Sequence, residues 1–444
     1  MILFLIVLIV LISVIAGKII LHKWINHLSV YSIIWGGLIF LYELKLLPYV
    51  DISPLAWFYI IIVFLCFFLG IVTVKSARGL FRSKEILTGN SDINLPILAD
   101  GGRTLKYALI IFSSISMFAA IQNWVVLIDM FGSIPSVFLN ANKIYIMNSK
   151  GGGVKGMVPF IPNFGFVAIF FAAIYTVYKG KFSFLTFYPL ISVIIKEIGS
   201  VGRAAILLAL MEFVFTFILF NHLLKDDIKK RFSFSRNNFI ISFVILIILF
   251  IGSISLVRLV RDPTESFVGA SKGLNKFKEN LVLSPTLYLY LSSDVGVLSK
   301  YLDSDGERTK FGQNTFLTLY HILNKFDLVE RDSDYQKGYY IPMWTNTATY
   351  IREIHADFGP AGTFIFPFIL GIIITWLWFK FYEQKSMLVL TFLVYLYLIV
   401  GYSFLVIITR TSYWSISQFL ILISIPIIER IAIAQQKYSM TLKS

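Results

Sequence analysis

The sequence predicts an all-α polytopic membrane protein, and two observations carry that class. Its 444 residues are 57% hydrophobic and only 14% charged, with a mean hydropathy of +0.78, against about 25% charged in ordinary soluble domains. Its apolar residues fall in long runs of roughly 17 to 25, the length a helix needs to cross a bilayer. The net charge of +14 sits in the connections between those runs. Cationic loops gathered at one membrane face explain it better than a nucleic-acid surface. The single cysteine, Cys66, lies inside an apolar run, so no internal disulfide braces the chain.

About eleven runs qualify as spans. They are Ile2 to Ile20, Val30 to Leu47, Pro54 to Val74, Leu105 to Met130, Met157 to Tyr178, Phe182 to Ile195, Ala204 to Leu223, Phe239 to Val257, Thr363 to Phe379, Met387 to Ile408 and Tyr413 to Ile431. The first has no basic segment ahead of it and Lys18 at its far end, which reads as a retained helix rather than a cleaved leader. The chain then divides into spans 1 to 8 (1–257), a large loop (258–362), and spans 9 to 11 with a tail (363–444).

Lysine and arginine placement sets the orientation. Lys18 and Lys23, the group from Lys75 to Arg103, Lys179 and Lys181, the cluster Lys225 to Arg236, Lys380 and Lys385, and Arg430 with Lys437 fall in alternate loops, all on one side of the spans. That face is expected to be cytoplasmic. The opposite face receives Pro48 to Ser53, Gly132 to Gly156, the break Gly199 to Arg203, the long segment Arg258 to Gly362 and the turn at Arg410. Lys143, Lys150 and Lys155 run against the bias.

The long segment exceeds what a connection needs, and such loops bind or catalyse. It opens with VRLVRDP, where Arg258 and Arg261 lie three residues apart on a helical extension ended by Pro263. Ser284 to Leu302 suits an interfacial helix bearing Tyr288, Tyr290 and Asp294. Thr315 to Leu323 reads as a second short helix.

The segment closes on WTNTATYIREIHADFGPAG, Trp344 to Gly362, at the mouth of the ninth span. At 3.6 residues per turn, Tyr350, Ile351, Ile354 and Phe358 share one face; His355 and Arg352 flank it on one side, Asp357 and Glu353 on the other. The expectation is a short helix on an apolar surface, its ionisable edge facing a water-filled cleft. Gly359 and Pro360 are expected to stop it.

A second cluster lies at GSVGRAAI, Gly199 to Ile206. Irregular backbone at membrane depth is tolerated only where it is buried in protein or lines a wet cavity. Arg203 at such a break is a functional-site candidate, with headgroup snorkelling as its bland alternative. Arg203, Arg258, Arg261, Arg352 and Arg410 all fall on the outward side. Guanidinium groups form bidentate pairs with phosphate oxygens, so this grouping suits a diphosphate.

Other chemistries fit poorly. The five histidines show no Cys/His ligand spacing, which argues against a metal site. Phosphate-binding glycine loops are absent, and Gly151 to Gly153 reads as a loop tip. The DFG at Asp357 to Gly359 has no kinase context. No acidic pair lies inside a span, which argues against an ion-coupled transporter.

The break at Gly199 to Arg203, the large loop, Asn346 with Thr349 as N-x-x-T, and Asp357, Phe358, Gly359 and Gly362 as DFG-x-x-G together resemble one family. They resemble the bacterial oligosaccharide repeat-unit polymerases, the Wzy-type O-antigen and capsular polysaccharide polymerases. The resemblance runs from Gly199 to Leu370, and the spacing of Arg258 and Gly269 is similar to a pattern of these enzymes. It implies a GT-C-like, metal-independent membrane glycosyltransferase without cofactor, in the bacterial cytoplasmic membrane with its active site facing outward. Its donor and acceptor would be undecaprenyl-diphosphate-linked oligosaccharides, joined into O-antigen, capsule or exopolysaccharide, with membrane lipid, a chain-length regulator and a flippase as further partners and no nucleic acid. On this reading Arg203, Arg258, Arg261, Arg352 and Arg410 hold diphosphate. His355 or Asp357 activates or positions the acceptor, one of the two being chemical and the other structural. Tyr288, Tyr290, Asp294, Asn346 and Thr349 face the sugars. An O-antigen ligase and a lipid-linked oligosaccharide flippase are the alternatives.

The charge bias predicts that Ser304 lies outside and Ser233 inside. In a Cys66→Ala background, an impermeant thiol reagent applied to intact cells should label Ser304→Cys and spare Ser233→Cys. The reverse pattern would invert the topology.

Overall fold

The computed structural model describes residues 2–79, 95–141, 143, 144, 147, 160–200, 202, 204–223, 285–304, 306–330, 336–341, 344–347 and 349–441. The eighth predicted span, the cluster Lys225 to Arg236, the tip Gly151 to Gly153, and Arg203, Arg258, Arg261 and Gly269 lie outside the described residues.

In chain order the helices are α1 (Ile2–Leu21), α2 (His27–Glu43), α3 (Pro54–Gly79), α4 (Arg103–Phe131), α5 (Ile134–Leu139), α6 (Phe164–Lys179), α7 (Phe184–Ser200) and α8 (Ala204–Leu223). After the long connection come α9 (Pro285–Ser292), α10 (Asp294–Asp303), α11 (Leu317–Asn324), α12 (Tyr350–Gln384), α13 (Met387–Tyr402) and α14 (Ser412–Thr441). Two short antiparallel strands, β1 (Tyr339–Tyr340) and β2 (Trp344–Thr345), precede α12, with Tyr339 opposite Thr345. Helices thus occupy ten of the eleven predicted segments. Seven, among the described residues, are long and apolar enough to cross a membrane: α1, α3, α4, α6 with its leading turn, α8, α12 and α14. The protein is an all-α polytopic membrane protein.

The chain forms two compact units. The first comprises Met1–Lys84, Thr264–Trp378 and Leu396–Thr411; the second Glu85–Pro263, Phe379–Tyr395 and Ser412–Ser444.

In the first unit α3 and α12 touch backbone to backbone at two glycines. A Cβ on Gly70 would stand 2.2 Å from the Phe368 carbonyl oxygen, and one on Gly371 2.3 Å from that of Phe67. Between helices in lipid the hydrophobic effect contributes little, and close approach at small residues supplies the association instead. An aromatic layer lies beside this contact. Tyr31 stacks on Phe67 with centroids 4.9 Å apart, and its hydroxyl lies 2.9 Å from that of Tyr350. Trp35 Nε1 donates to Ser403 Oγ at 2.9 Å, while the Ser403 carbonyl accepts Tyr350 N at 2.9 Å. The start of α12 is therefore fixed from both α2 and the end of α13.

α12 is two helical runs in one rod. Gly359 interrupts it at φ 70°, ψ −167°, a conformation open to glycine alone, and Pro360 opens the second run, whose apolar length is the span. The sequence expectation of a stop at Gly359 is met in the backbone, while the rod continues beyond it. As expected, Tyr350, Ile351 and Ile354 are buried together, while Phe358 of the same face is half-buried.

In the second unit α6 is buried on nearly every side, and α4 and α7 close around it. Gly165 on α6 lets Ser116 of α4 and Val193 of α7 approach, and Gly199 on α7 lies against Asn123 and Trp124 of α4. The glycine of the Gly199 break thus has a packing reason of its own.

The glycine contact predicts a reversal of the usual sign. Gly→Ala inside a helix ordinarily stabilises by about 0.5–1 kcal/mol, which is expected for Gly37→Ala, where nothing lies within 4 Å. Gly371→Ala should instead lose about 1–3 kcal/mol through overpacking, read as a lower melting temperature of the detergent-solubilised protein.

Candidate functional site

The head of α12 carries four ionisable side chains, Arg352, Glu353, His355 and Asp357, within two turns. The structure corrects the expectation that their edge faces a water-filled cleft, because all four are buried. Tyr301, residues 308–315, residues 336–339 and the turn after α13 lie against them and supply their partners. A buried charge without such partners costs several kcal/mol, and the carboxylates of Glu353 and Asp357 are matched on both oxygens.

Asp357 is caged. Its Oδ1 accepts from Thr309 Oγ1 at 2.7 Å and from Asn314 N and Nδ2, both at 2.9 Å. Its Oδ2 accepts from Thr315 N at 2.7 Å and Thr315 Oγ1 at 2.8 Å. Five donors occupy both oxygens, so the carboxylate is a pin for the 309–315 loop. Glu353 is a second pin: Oε1 accepts from Arg410 Nη1 and from Gln336 Nε2 at 3.2 Å, and Oε2 accepts from Ile407 N.

Two of the arginines assigned to a diphosphate are thereby placed. Arg410 is paired with Glu353. Arg352 lies between the rings of Tyr301 and Tyr339, 5.2 and 5.1 Å from their centroids, and its Nη2 donates to the Lys337 carbonyl at 2.7 Å. Its Nη1 has no partner among the described residues. The other three, Arg203, Arg258 and Arg261, lie outside the described residues.

The His355 ring is held by tyrosines. Its Nδ1 lies 2.9 Å from the Tyr301 hydroxyl, and the rings of Tyr59 and Tyr301 meet it edge-on at 5.3 and 5.6 Å. The Tyr301 hydroxyl has one proton and also reaches the Glu307 carbonyl at 3.1 Å. When that proton serves Glu307, the imidazole must donate from Nδ1, leaving the Nε2 lone pair as acceptor. Burial pushes the Tyr301 phenol well above its ordinary range, with Arg308 and Arg352 opposing the shift, so it stays a neutral donor.

Arg308 was not singled out from sequence, because it stands in an aperiodic loop that offers no pattern. Its Nη1 donates to the His355 carbonyl at 2.7 Å, while the residue as a whole is exposed. A Cβ on Gly359 would lie 2.9 Å from the same nitrogen, so glycine there also makes room for this guanidinium. An exposed cation and a tethered imidazole therefore meet at the head of one membrane helix.

The residues assigned to sugar binding are scattered through the same unit. Tyr288 donates to the Leu41 carbonyl at 2.5 Å and stacks beside Tyr49; Tyr290 and Asn346 are half-buried; Thr349 begins α12 with its carbonyl. Asp294 is fully buried at the start of α10, and neither carboxyl oxygen has a hydrogen bond of normal geometry among the described residues. Burial raises its pKa well above the ordinary carboxylate range; the nearby Thr347 hydroxyl opposes the rise. Asp294 and Thr349 as placed are closed to a sugar.

The sequence also passed over charges in the second unit that were visible as breaks in apolar runs. Lys196 and Glu197 form a buried pair at 2.5 Å, and Lys196 Nζ donates to Tyr413 Oη at 3.3 Å beside a small cavity lined with Ser116 and Phe166. Glu212, buried in α8, accepts from the Tyr395 hydroxyl at 3.1 Å. No group of three or more His, Cys, Asp or Glu able to hold a metal occurs among the described residues.

The cage predicts that Asp357→Asn, which puts an amide against donors, lowers stability by about 2–3 kcal/mol. The measurements are a melting curve and faster proteolysis within 309–315. No protein-family model, curated protein or solved structure matches the chain.

Proposed function

We propose that the protein is a GT-C-like membrane glycosyltransferase of the repeat-unit polymerase type, with about eleven spans in a bacterial cytoplasmic membrane. It joins oligosaccharides carried on undecaprenyl diphosphate, with the head of α12 facing outward. The observation that carries the reading is His355, tethered through Nδ1 to Tyr301 and set beside the exposed Arg308 at the end of a membrane helix. The DFG-x-x-G pattern at that position supports it, since the same residues build the Asp357 pin and the Gly359 kink.

In the proposed reaction an acceptor hydroxyl oxygen attacks the anomeric carbon of the donor. The bond from that carbon to the diphosphate oxygen breaks, and the diphosphate leaves with the electron pair. The hydroxyl proton passes to His355 Nε2. Arg308 supplies a guanidinium for the charge developing on the diphosphate. Diphosphate leaves readily, so alignment and charge stabilisation are the main demands on the protein.

A transporter of lipid-linked oligosaccharide is the second reading. It draws on the buried Lys196–Glu197 pair and Glu212, since ionisable groups inside membrane helices mark ion or substrate paths.

Purified protein given undecaprenyl-diphosphate-linked repeat units in detergent should build a ladder of polymer. His355→Gln should lower the rate by about 10² to 10⁴. Arg308→Ala should lower kcat by about 10² to 10³, with Arg308→Lys recovering part of it because charge returns without the planar fork. Normal rates in all three would remove this site. No ladder from wild type, with substrate accumulating on the inner leaflet of a deletion strain, would favour the transporter.

A further inference from the structure

Residues 309–328 carry a surface that neither the pins nor the proposed reaction uses. Phe311 is 78% exposed, Phe326 70% and Leu328 68%, and Phe316, Leu319 and Ile322 are each about half exposed. Contiguous exposed apolar patches in a folded chain mark an interaction surface.

Its occupant is indicated by where the segment is held. Thr309 N donates to the Ala356 carbonyl at 3.2 Å, and Thr309, Asn314 and Thr315 bind Asp357. Thr318 Oγ1 donates to the Arg410 carbonyl at 3.2 Å and Thr409 Oγ1 to that of Thr315 at 2.7 Å. The segment is thus fixed to the point where α12 becomes a membrane span. The Phe311 ring meets Phe358 edge-on at 4.9 Å, and immediately beyond Phe358 begins the exposed stripe of α12: Pro360, Ala361, Ile365, Ile369 and Ile373. That stripe has the spacing of a lipid-facing helix edge. The apolar surface of 309–328 is continuous with it. Within the segment, exposed Lys310 and Lys325 outnumber the single acid, Asp327, the balance that suits anionic headgroups.

We infer that residues 309–328, centred on α11, form an interfacial element that inserts its apolar side chains into the bilayer beside the head of α12. The membrane lipid then sets the depth of the loop that carries Arg308, and with it the height of the polar cluster above the hydrocarbon. Nothing in this depends on which reaction the protein performs.

The test is spin-label accessibility in a Cys66→Ala background, with the whole protein in vesicles of phosphatidylethanolamine and phosphatidylglycerol. Nitroxides are placed at Phe311→Cys, Leu319→Cys, Ile322→Cys and Phe326→Cys, with Ile369→Cys as the lipid reference and Ser304→Cys as the exposed loop reference. Insertion is read as strong broadening by oxygen and weak broadening by a water-soluble nickel chelate, as at Ile369. Nickel broadening like that at Ser304 would overturn the inference. Exclusion of both reagents would also overturn it, since the patch would then be covered by protein. The four positions report independently, so a variant that fails to fold leaves the others to decide.

Discussion

The five hydrogen bonds converging on Asp357 are the constraint from which the rest of the cluster follows. A bond to a charged group is worth about 1.5–3 kcal/mol net, and here several share one carboxylate and two of the donors are backbone amides. They fix residues 309–315 against the last turn before the Gly359 kink. Because Arg308 immediately precedes that stretch, its guanidinium is delivered to the His355 carbonyl. Because α10 leads into the same loop, Tyr301 is delivered to His355 Nδ1. The cage thus decides what surrounds the imidazole.

Around that pin lies a polar core inside a predominantly apolar protein. The Glu353–Arg410 pair and Arg352 between two tyrosine rings are buried and largely satisfied. Replacing such groups with apolar ones is often neutral for stability, whereas removing one partner is costly. Their value here is in register. An apolar loop could slide along the head of α12, while a loop whose amides and hydroxyls must meet particular carboxylate oxygens has one place to sit.

The helices were legible because run length and hydropathy report directly on a bilayer-sized apolar rod. Ten of the predicted segments carry helices for that reason. The Gly359–Pro360 break was legible too, since few residues tolerate φ 70°. The burial of the ionisable edge was not. A helical wheel gives the angle of His355 or Asp357 about the axis and says nothing of an aperiodic loop folding over it. Arg308 was invisible for the same reason. Lys196, Glu197 and Glu212 were readable as charges in or beside apolar runs, and weighting acidic pairs alone hid them.

Charge placement alone assigns five arginines one task, on the ground that all are expected to lie outward. Arg410 and Arg352 show why side of membrane is insufficient. A guanidinium can take a diphosphate only with donors left for it and a route for the ligand, and Arg410 is paired with Glu353 while Arg352 is sandwiched and buried. Arg308 meets both conditions, since one nitrogen anchors it to a backbone carbonyl and the residue remains exposed. That anchor also restricts the side chain before any ligand arrives, which lowers the entropy lost on binding. Where arginines gather near a membrane, the features that separate ligand-holding from structural ones are donors left on the fork and a route by which a ligand can reach them.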